Sequence, residues 1–216
     1  MFALEGSIRL AGSVVFIAIL CSGCVTAISP SDAARVQTIS LSGFNEPGFD
    51  ALDFLILTPI PARPSGYDEF PTLMERQSLH LGTELAAAIA QGLRNDGYKV
   101  VEGGSANADA TLDVQLLGFP PAATALYAAH GGDFEPEFTA VATLTDSSTK
   151  KTLFRGAYVY RNNSLKPIDG TILIRPDPKY YFKTSKALFD NPQLAAEGFR
   201  AAEPIIAQLI AASLKR

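Results

Sequence analysis

Leu81-Gly-Thr-Glu-Leu-Ala-Ala-Ala-Ile-Ala-Gln-Gly-Leu-Arg-Asn-Asp-Gly97 runs into Tyr98-Lys-Val-Val-Glu102 and then, past Gly103-Gly-Ser-Ala-Asn107, into Asp109-Ala-Thr-Leu-Asp-Val-Gln-Leu116. In the first piece Leu81, Leu85, Ile89 and Leu93 recur every four residues, the spacing that lines one face of a helix. Met74 and Ala88 widen the stripe, and Thr72-x-x-Glu75 has the form of a capping box. The spacing therefore predicts one helix from Thr72 to the Asn95-Asp-Gly97 stop, where Gly97 suits a left-handed cap. Tyr98 to Glu102 reads as a short strand. In the last piece Ala110, Leu112, Val114 and Leu116 face one way and Asp109, Thr111, Asp113 and Gln115 the other. Such alternation gives a strand with one dry and one wet face. A helix lying on one face of a sheet is the arrangement that satisfies both patterns.

The flanking segments extend that plan. Val36 to Leu41 is a weakly alternating strand, and Phe54-Leu-Ile-Leu-Thr-Pro59 is an apolar run of strand length. Residues 59–71 hold Pro59, Pro61, Pro64, Gly66 and Pro71 and read as a long loop. Phe138 to Thr145 and Leu153 to Tyr160, joined by Asp146-Ser-Ser-Thr-Lys-Lys151, form an antiparallel hairpin. Asp190-Asn-Pro192 opens a last helix with Phe199, Ala202, Ile206, Leu209 and Ile210 on its apolar stripe, and Pro204 predicts a kink within it. The expected fold is α/β (α+β): a single mixed or antiparallel sheet with two long amphipathic helices packed on one face.

The amino-terminal segment carries a different signal. Arg9 precedes an apolar run from Leu10 to Leu20, and Cys21-Ser-Gly-Cys24 follows. A basic residue, about 7–15 apolar residues and a small-residue exit are the parts of a secretory signal peptide. The run is shorter than the roughly 20 residues needed to span a bilayer. Ser22-Gly23-Cys24 resembles the lipobox of bacterial lipoproteins, with Cys21 where that pattern usually has an aliphatic residue. The resemblance implies cleavage before Cys24 and lipidation of its sulfur. It divides the chain into a signal peptide (1–23), a lipidated tether (24–35) and one periplasmic α/β domain (36–216). Two other readings stay open at this stage: cleavage after Ala27, which releases a soluble periplasmic protein, and a Cys21-x-x-Cys24 redox or metal pair.

Composition narrows the classes. The chain is 47% hydrophobic and 19% charged, which fits a folded domain. Its net charge of −4 argues against nucleic-acid binding, which calls for a basic footprint. With Cys24 acylated, no second cysteine remains for a disulfide, so the domain must hold by its core alone.

The segment Leu81–Leu117, with Gly97-Tyr-Lys-Val-Val and Ala108-Asp-Ala-Thr-Leu-Asp-Val, resembles the small α/β domains of bacterial envelope lipoproteins and their kin, the group of the TolB amino-terminal domain, CsgG and LpoB. The resemblance implies an envelope role with a protein partner. Val25 stands where an Asp would resemble an inner-membrane retention signal, so the lipoprotein pattern implies the outer membrane, periplasmic face.

Candidate chemistry is sparse. There are two histidines, His80 inside the helical stripe and His130 in His130-Gly-Gly-Asp133. A His-Gly-Gly element suits an oxyanion hole only beside a Gly-x-Ser-x-Gly elbow, and Gly103-Gly-Ser-Ala-Asn107 lacks the closing glycine. Asp109 and Asp113, about 13 Å apart along a strand, read as a solvated face. No His/Cys set has metal-ligand spacing, so no metal, cofactor or catalytic residue is expected. The residues carried forward are Cys24 for lipidation and Tyr158, Tyr160, Tyr180 and Tyr181 as a candidate interface, aromatics being favoured there. The expectation is a non-enzymatic lipoprotein serving as accessory or assembly partner of an envelope complex. The alternatives are a peptidoglycan- or lipid-transport-associated binding module and, last, a hydrolase using His130. The oligomeric state is open.

Overall fold

The computed structural model describes residues 27–44, 70–103, 107–117, 136–161 and 171–215. Within them the order is α1 (Pro30–Arg35), β1 (Thr38–Gly43), α2 (Phe70–Arg76), α3 (Leu81–Asn95), β2 (Lys99–Glu102), β3 (Ala110–Leu117), β4 (Phe138–Asp146), β5 (Thr152–Tyr160), β6 (Thr171–Ile174), α4 (Ser185–Asp190) and α5 (Pro192–Leu214). The strands make one six-stranded mixed sheet in the order β2-β1-β3-β4-β5-β6. β1 runs parallel to both β2 and β3, β3-β4 and β4-β5 are antiparallel, and β6 returns parallel to β5.

Alternation along each strand decides what the sheet buries. Ala110, Leu112, Val114 and Leu116 of β3 are buried, and so are Phe138, Ala140, Ala142 and Leu144 of β4. The registers set these side chains on one face: Leu41, Leu112, Leu144 and Phe154 form a row across four strands. Thr111, Asp113, Thr139, Thr143 and Arg155 lie on the other face and keep contact with water. α3 buries Leu81, Leu85, Ile89 and Leu93, as its periodicity requires, and α5 buries Phe199, Ile206, Ile210 and a set of alanines. Each fully buried Leu or Ile is worth roughly 1.5–3 kcal/mol. Small residues let the two helices approach closely: a Cβ on Gly92 would sit 3.3 Å from the Ala211 Cβ. The Tyr98 hydroxyl donates to the Leu214 carbonyl and ties the end of α5 to the turn between α3 and β2.

Four expectations change. The helix predicted from Thr72 is two helices, α2 and α3, and Thr72 lies inside the first. The chain turns between them with Ser78 at φ +51°, a left-handed residue that costs about 1 kcal/mol without glycine. Three backbone bonds close α2: Gln77 N–H and Leu79 N–H to Met74 C=O, and Ser78 N–H to Glu75 C=O. The reaching-back carboxylate is Glu84, which accepts from the His80 amide, in place of Glu75. Residues 30–35, expected as tether, form α1; Ser29 caps it through the Asp32 amide, and Ala33 and Val36 are buried. Asp190 closes α4 instead of opening the last helix, and the Asn191 side chain donates back to Ala187 C=O. β6 and α4 were not anticipated. α5 is one helix from Pro192 to Leu214, with Pro204 on its exposed side. The strand expected at Phe54–Pro59 lies outside the described residues.

Candidate functional site

Strand directions sort the connections into two ends of the sheet. The starts of β1, β2, β3 and β5, the end of β4 and α1 lie at one end, the proximal end. The ends of β1, β2, β3 and β5 and the start of β4 lie at the other, the distal end. Described chain stops at the distal end after Phe44, Leu117 and Arg161 and resumes there at Pro136.

The proximal end is closed by carboxylates. Asp146, with no side-chain exposure, accepts from the Ser148 amide and hydroxyl at 2.9 and 2.7 Å and from the Thr149 amide at 2.7 Å. Its second oxygen takes Arg35 Nη2 of α1. The Ser148 hydroxyl, the Thr149 amide and the Arg35 guanidinium hold the Asp146 carboxyl far below the usual carboxylate range. Asp109 accepts from the Gln37 and Thr38 amides at 2.9 and 2.8 Å, and these two donors, Thr38 foremost, lower its pKa. Lys151 pairs with Asp32 and Arg35 with Asp146, which links α1 to the β4-β5 turn from both sides. Asp109 is thus a clamp on the start of β1, where a solvated face was expected. Asp113 lies 3.4 Å from the Ser42 hydroxyl, next to Gly43. Gly43 has φ +86°, and a Cβ there would meet Val114 backbone atoms at 2.8–2.9 Å, so only glycine fits.

The distal end is built differently. Glu137 faces Arg161 at 3.6 Å, with the two side chains 11% and 20% exposed. Burial raises the Glu137 carboxyl, and the nearby Arg161 guanidinium opposes that shift. Below them Phe138 stacks obliquely with Tyr160 and Phe199, at centroid distances of 5.8 and 6.3 Å. Pro136 and Tyr180 pack on Gly198 of α5, where a Cβ would lie 2.5 Å from Pro136 Cγ. A second charged group spans the helices. Arg200 of α5 donates to Glu84 of α3 at 2.9 Å and to the Gln77 and Ser78 carbonyls at 3.0 and 2.8 Å. One guanidinium so holds the α2-α3 break and joins α3 to α5.

The sequence-derived candidates fall as follows. Cys24 and His130 lie outside the described residues. His80 is the N-cap residue of α3, exposed, with no side-chain capping bond. Tyr158 and Tyr160 are 0% and 1% exposed and belong to the core, not to an interface. They project from the face of β5 that α5 covers, where the Tyr158 hydroxyl lies 3.3 Å from Ser213 of α5. Tyr180 is buried against Gly198, and Tyr181 is half-buried with its hydroxyl donating to Pro176 C=O. Among the described residues, no three His, Cys, Asp or Glu side chains are grouped to hold a metal, and no helix is long and apolar enough to cross a membrane.

Sequence reading missed Asp146, Arg35, Arg200 and the Glu137–Arg161 pair. Asp146-Ser-Ser-Thr carried a usable signal, since an Asp followed by Ser/Thr is the pattern of an Asx turn. The two arginines gave none: Arg35 meets a partner 111 residues away, and Arg200 partners 116 to 123 residues away.

The fold and these clusters define an α/β domain in which, among the described residues, α3 and α5 pack on one face of the sheet. No family model matches the chain, and no curated protein does. Among solved structures, a point variant of the PelC dodecamer from Paraburkholderia phytofirmans is similar at TM-score 0.38 and 10% identity, covering 84% of this chain and 90% of that one. At that score nothing about this chain rests on the likeness.

Proposed function

We propose that this chain is a non-enzymatic lipoprotein of the bacterial envelope, anchored through Cys24 at the periplasmic face of the outer membrane and acting as accessory or assembly partner of an envelope complex. The observation that carries this reading is the order Arg9, Leu10–Leu20, Ser22-Gly23-Cys24. α1 starts six residues after Cys24, which leaves a short tether between the proposed anchor and the domain. With Tyr158 and Tyr160 in the core, partner contact falls to other surfaces, such as the sheet face opposite α3 and α5. Its Ser42, Thr111, Thr139, Thr143 and Arg155 suit a polar contact.

Lipidation is tested by fatty-acid labelling in cells. Wild type should take label and resist extraction by carbonate, because diacylation supplies the second chain that stable anchoring needs. Cys24→Ser should lose the label and accumulate as unprocessed precursor, while Cys21→Ser should behave as wild type. Label that survives Cys24→Ser refutes the anchor.

A further inference from the structure

The proximal end has a second property besides its clamps, namely the sign of its surface. Six basic residues are exposed there: Arg35 on α1, Arg94 and Lys99 around the α3-β2 turn, Lys150 and Lys151 in the β4-β5 turn, and Lys215 after α5. Topology brings them together from four places in the chain, because each turn closes at the same end of the sheet. Lys215 joins them through the Tyr98–Leu214 bond. The acidic residues at this end are Asp32, Asp96, Asp109 and Asp146, giving a local balance of +2, where the described residues together carry +1. Three of those four are engaged by donors of the domain itself. Asp146 is buried, the Asp109 carboxylate accepts from two backbone amides, and that of Asp32 from the Ser29 hydroxyl, Arg35 and Lys151. Among the described residues no carboxylate pairs with Arg94, Lys99, Lys150 or Lys215, and all four are exposed.

This is also the end from which the chain leads back to Cys24. Residues 24–29 reach roughly 20 Å at full extension, so an anchored Cys24 holds this end close to the bilayer. We infer that the basic proximal end is a membrane-facing surface that rests on anionic phospholipid and turns the distal end away from the bilayer. The inference rests on the Cys24 anchor proposed above. A short tether confines the domain, and charge complementarity sets which way up it sits. Polybasic surfaces beside a lipid anchor are attracted to anionic leaflets over about a Debye length, roughly 10 Å at 0.1 M salt. Salt should therefore release the surface without releasing the anchor.

The test uses the full chain, processed and lipidated in cells, purified and placed on vesicles of phosphatidylcholine with or without phosphatidylglycerol. A fluorophore goes on Ala212→Cys, exposed in the last turn of α5, or on Gln193→Cys, exposed in its first turn. The two sites are roughly 28 Å apart along the helix. Quenching by spin-labelled lipid reads their distance from the bilayer. Position 212 should be quenched several-fold more strongly than 193 on anionic vesicles. The difference should shrink on phosphatidylcholine alone, in 0.5 M salt (a screening length of about 4 Å), and in Lys99→Glu/Lys150→Glu/Lys215→Glu, which should float with vesicles as wild type does. Equal quenching at both positions on anionic vesicles, or quenching at 212 indifferent to lipid charge and to the triple variant, overturns the inference and leaves the anchor standing. Failure of the wild type to float, with the dye reacting at Cys24, overturns the anchor reading and the orientation together.

Discussion

The two ends of the sheet solve the same problem, how to finish the strands, with opposite chemistry. At the proximal end, carboxylates accept from backbone amides and from Arg35, so each charge is compensated by donors. At the distal end, packing dominates: Phe138, Tyr160, Phe199, Tyr180 and Pro136 close the core, and the Glu137–Arg161 pair is nearly desolvated above them. The difference teaches that the proximal end is held by charge and should respond to acid and salt. The distal end is held by apolar fit, and its Glu137 carboxyl is disfavoured as an anion. On the proposed anchor, the charge-built end is the one at the membrane and the apolar-built end the one available to the periplasm.

Both ends hang on the same one-faced sheet, so the largest expected effect is at its centre. Leu112 is fully buried in the row with Leu41, Leu144 and Phe154. Leu112→Asp should cost on the order of 4 kcal/mol or more and unfold the domain, because it deletes apolar packing and buries an unpaired charge. Thr111→Asp, one residue away on the open face, should shift thermal melting by little. Equal losses of Tm in the two variants would refute the division into covered and open faces, and with it the comparison of ends.

How much of this was legible follows from the range of each interaction. The helix at Leu81–Leu93 and the strand at Ala110–Leu116 were readable because periodicity is local and tertiary packing agrees with it. The break at Ser78 was not. Its left-handed turn is held by Arg200, more than a hundred residues further on, and the local letters Gln77-Ser-Leu-His80 allow a continuous helix. The tyrosines show a different limit. Tyr158 and Tyr160 share one face of β5 by alternation, yet whether that face is core or interface depends on where the distant α5 docks. The tether was misjudged for a similar reason. Small polar residues at 29–35 read as linker, but Arg35 finds Asp146 across the fold and α1 docks.

The second effect is local to the proximal end. Asp146→Ala removes the acceptor for two backbone amides, the Ser148 hydroxyl and Arg35 at once. Tm should fall by several degrees, and limited proteolysis should open the chain near residues 27–37, where α1 depends on that bond. Arg35→Ala should free the same segment with a smaller change in Tm, since its side chain is half exposed and contributes as a surface partner. A cleavage pattern in Asp146→Ala identical to wild type would show that the docking of α1 does not depend on Asp146.

The smallest effect is the most discriminating, because it separates the ends by sign. Asp146 and Asp109 have pKa values lowered in the fold, so they add stability above the unfolded carboxylate range near 3.9, and that stability is lost as pH falls through their folded values. Glu137 is raised by burial, so the folded state holds its proton more tightly than the unfolded chain, whose Glu titrates near 4.3. Its contribution is fully present below that value and is lost as pH rises through the folded pKa. Melting curves from pH 3 to 8 should therefore show opposite slopes in two variants relative to wild type. Asp146→Asn should be most destabilised at neutral pH, and its deficit should narrow below the unfolded value near 3.9, closing only beneath the scanned range. Glu137→Gln should match wild type in acid and gain on it as pH rises, because the amide keeps the shape without the charge. The gain is bounded by Arg161, which loses its counter-charge but keeps a fifth of its side chain in water. If Glu137→Gln instead loses Tm steadily toward neutral pH, the ion pair outweighs burial and the distal end is held by charge as the proximal end is.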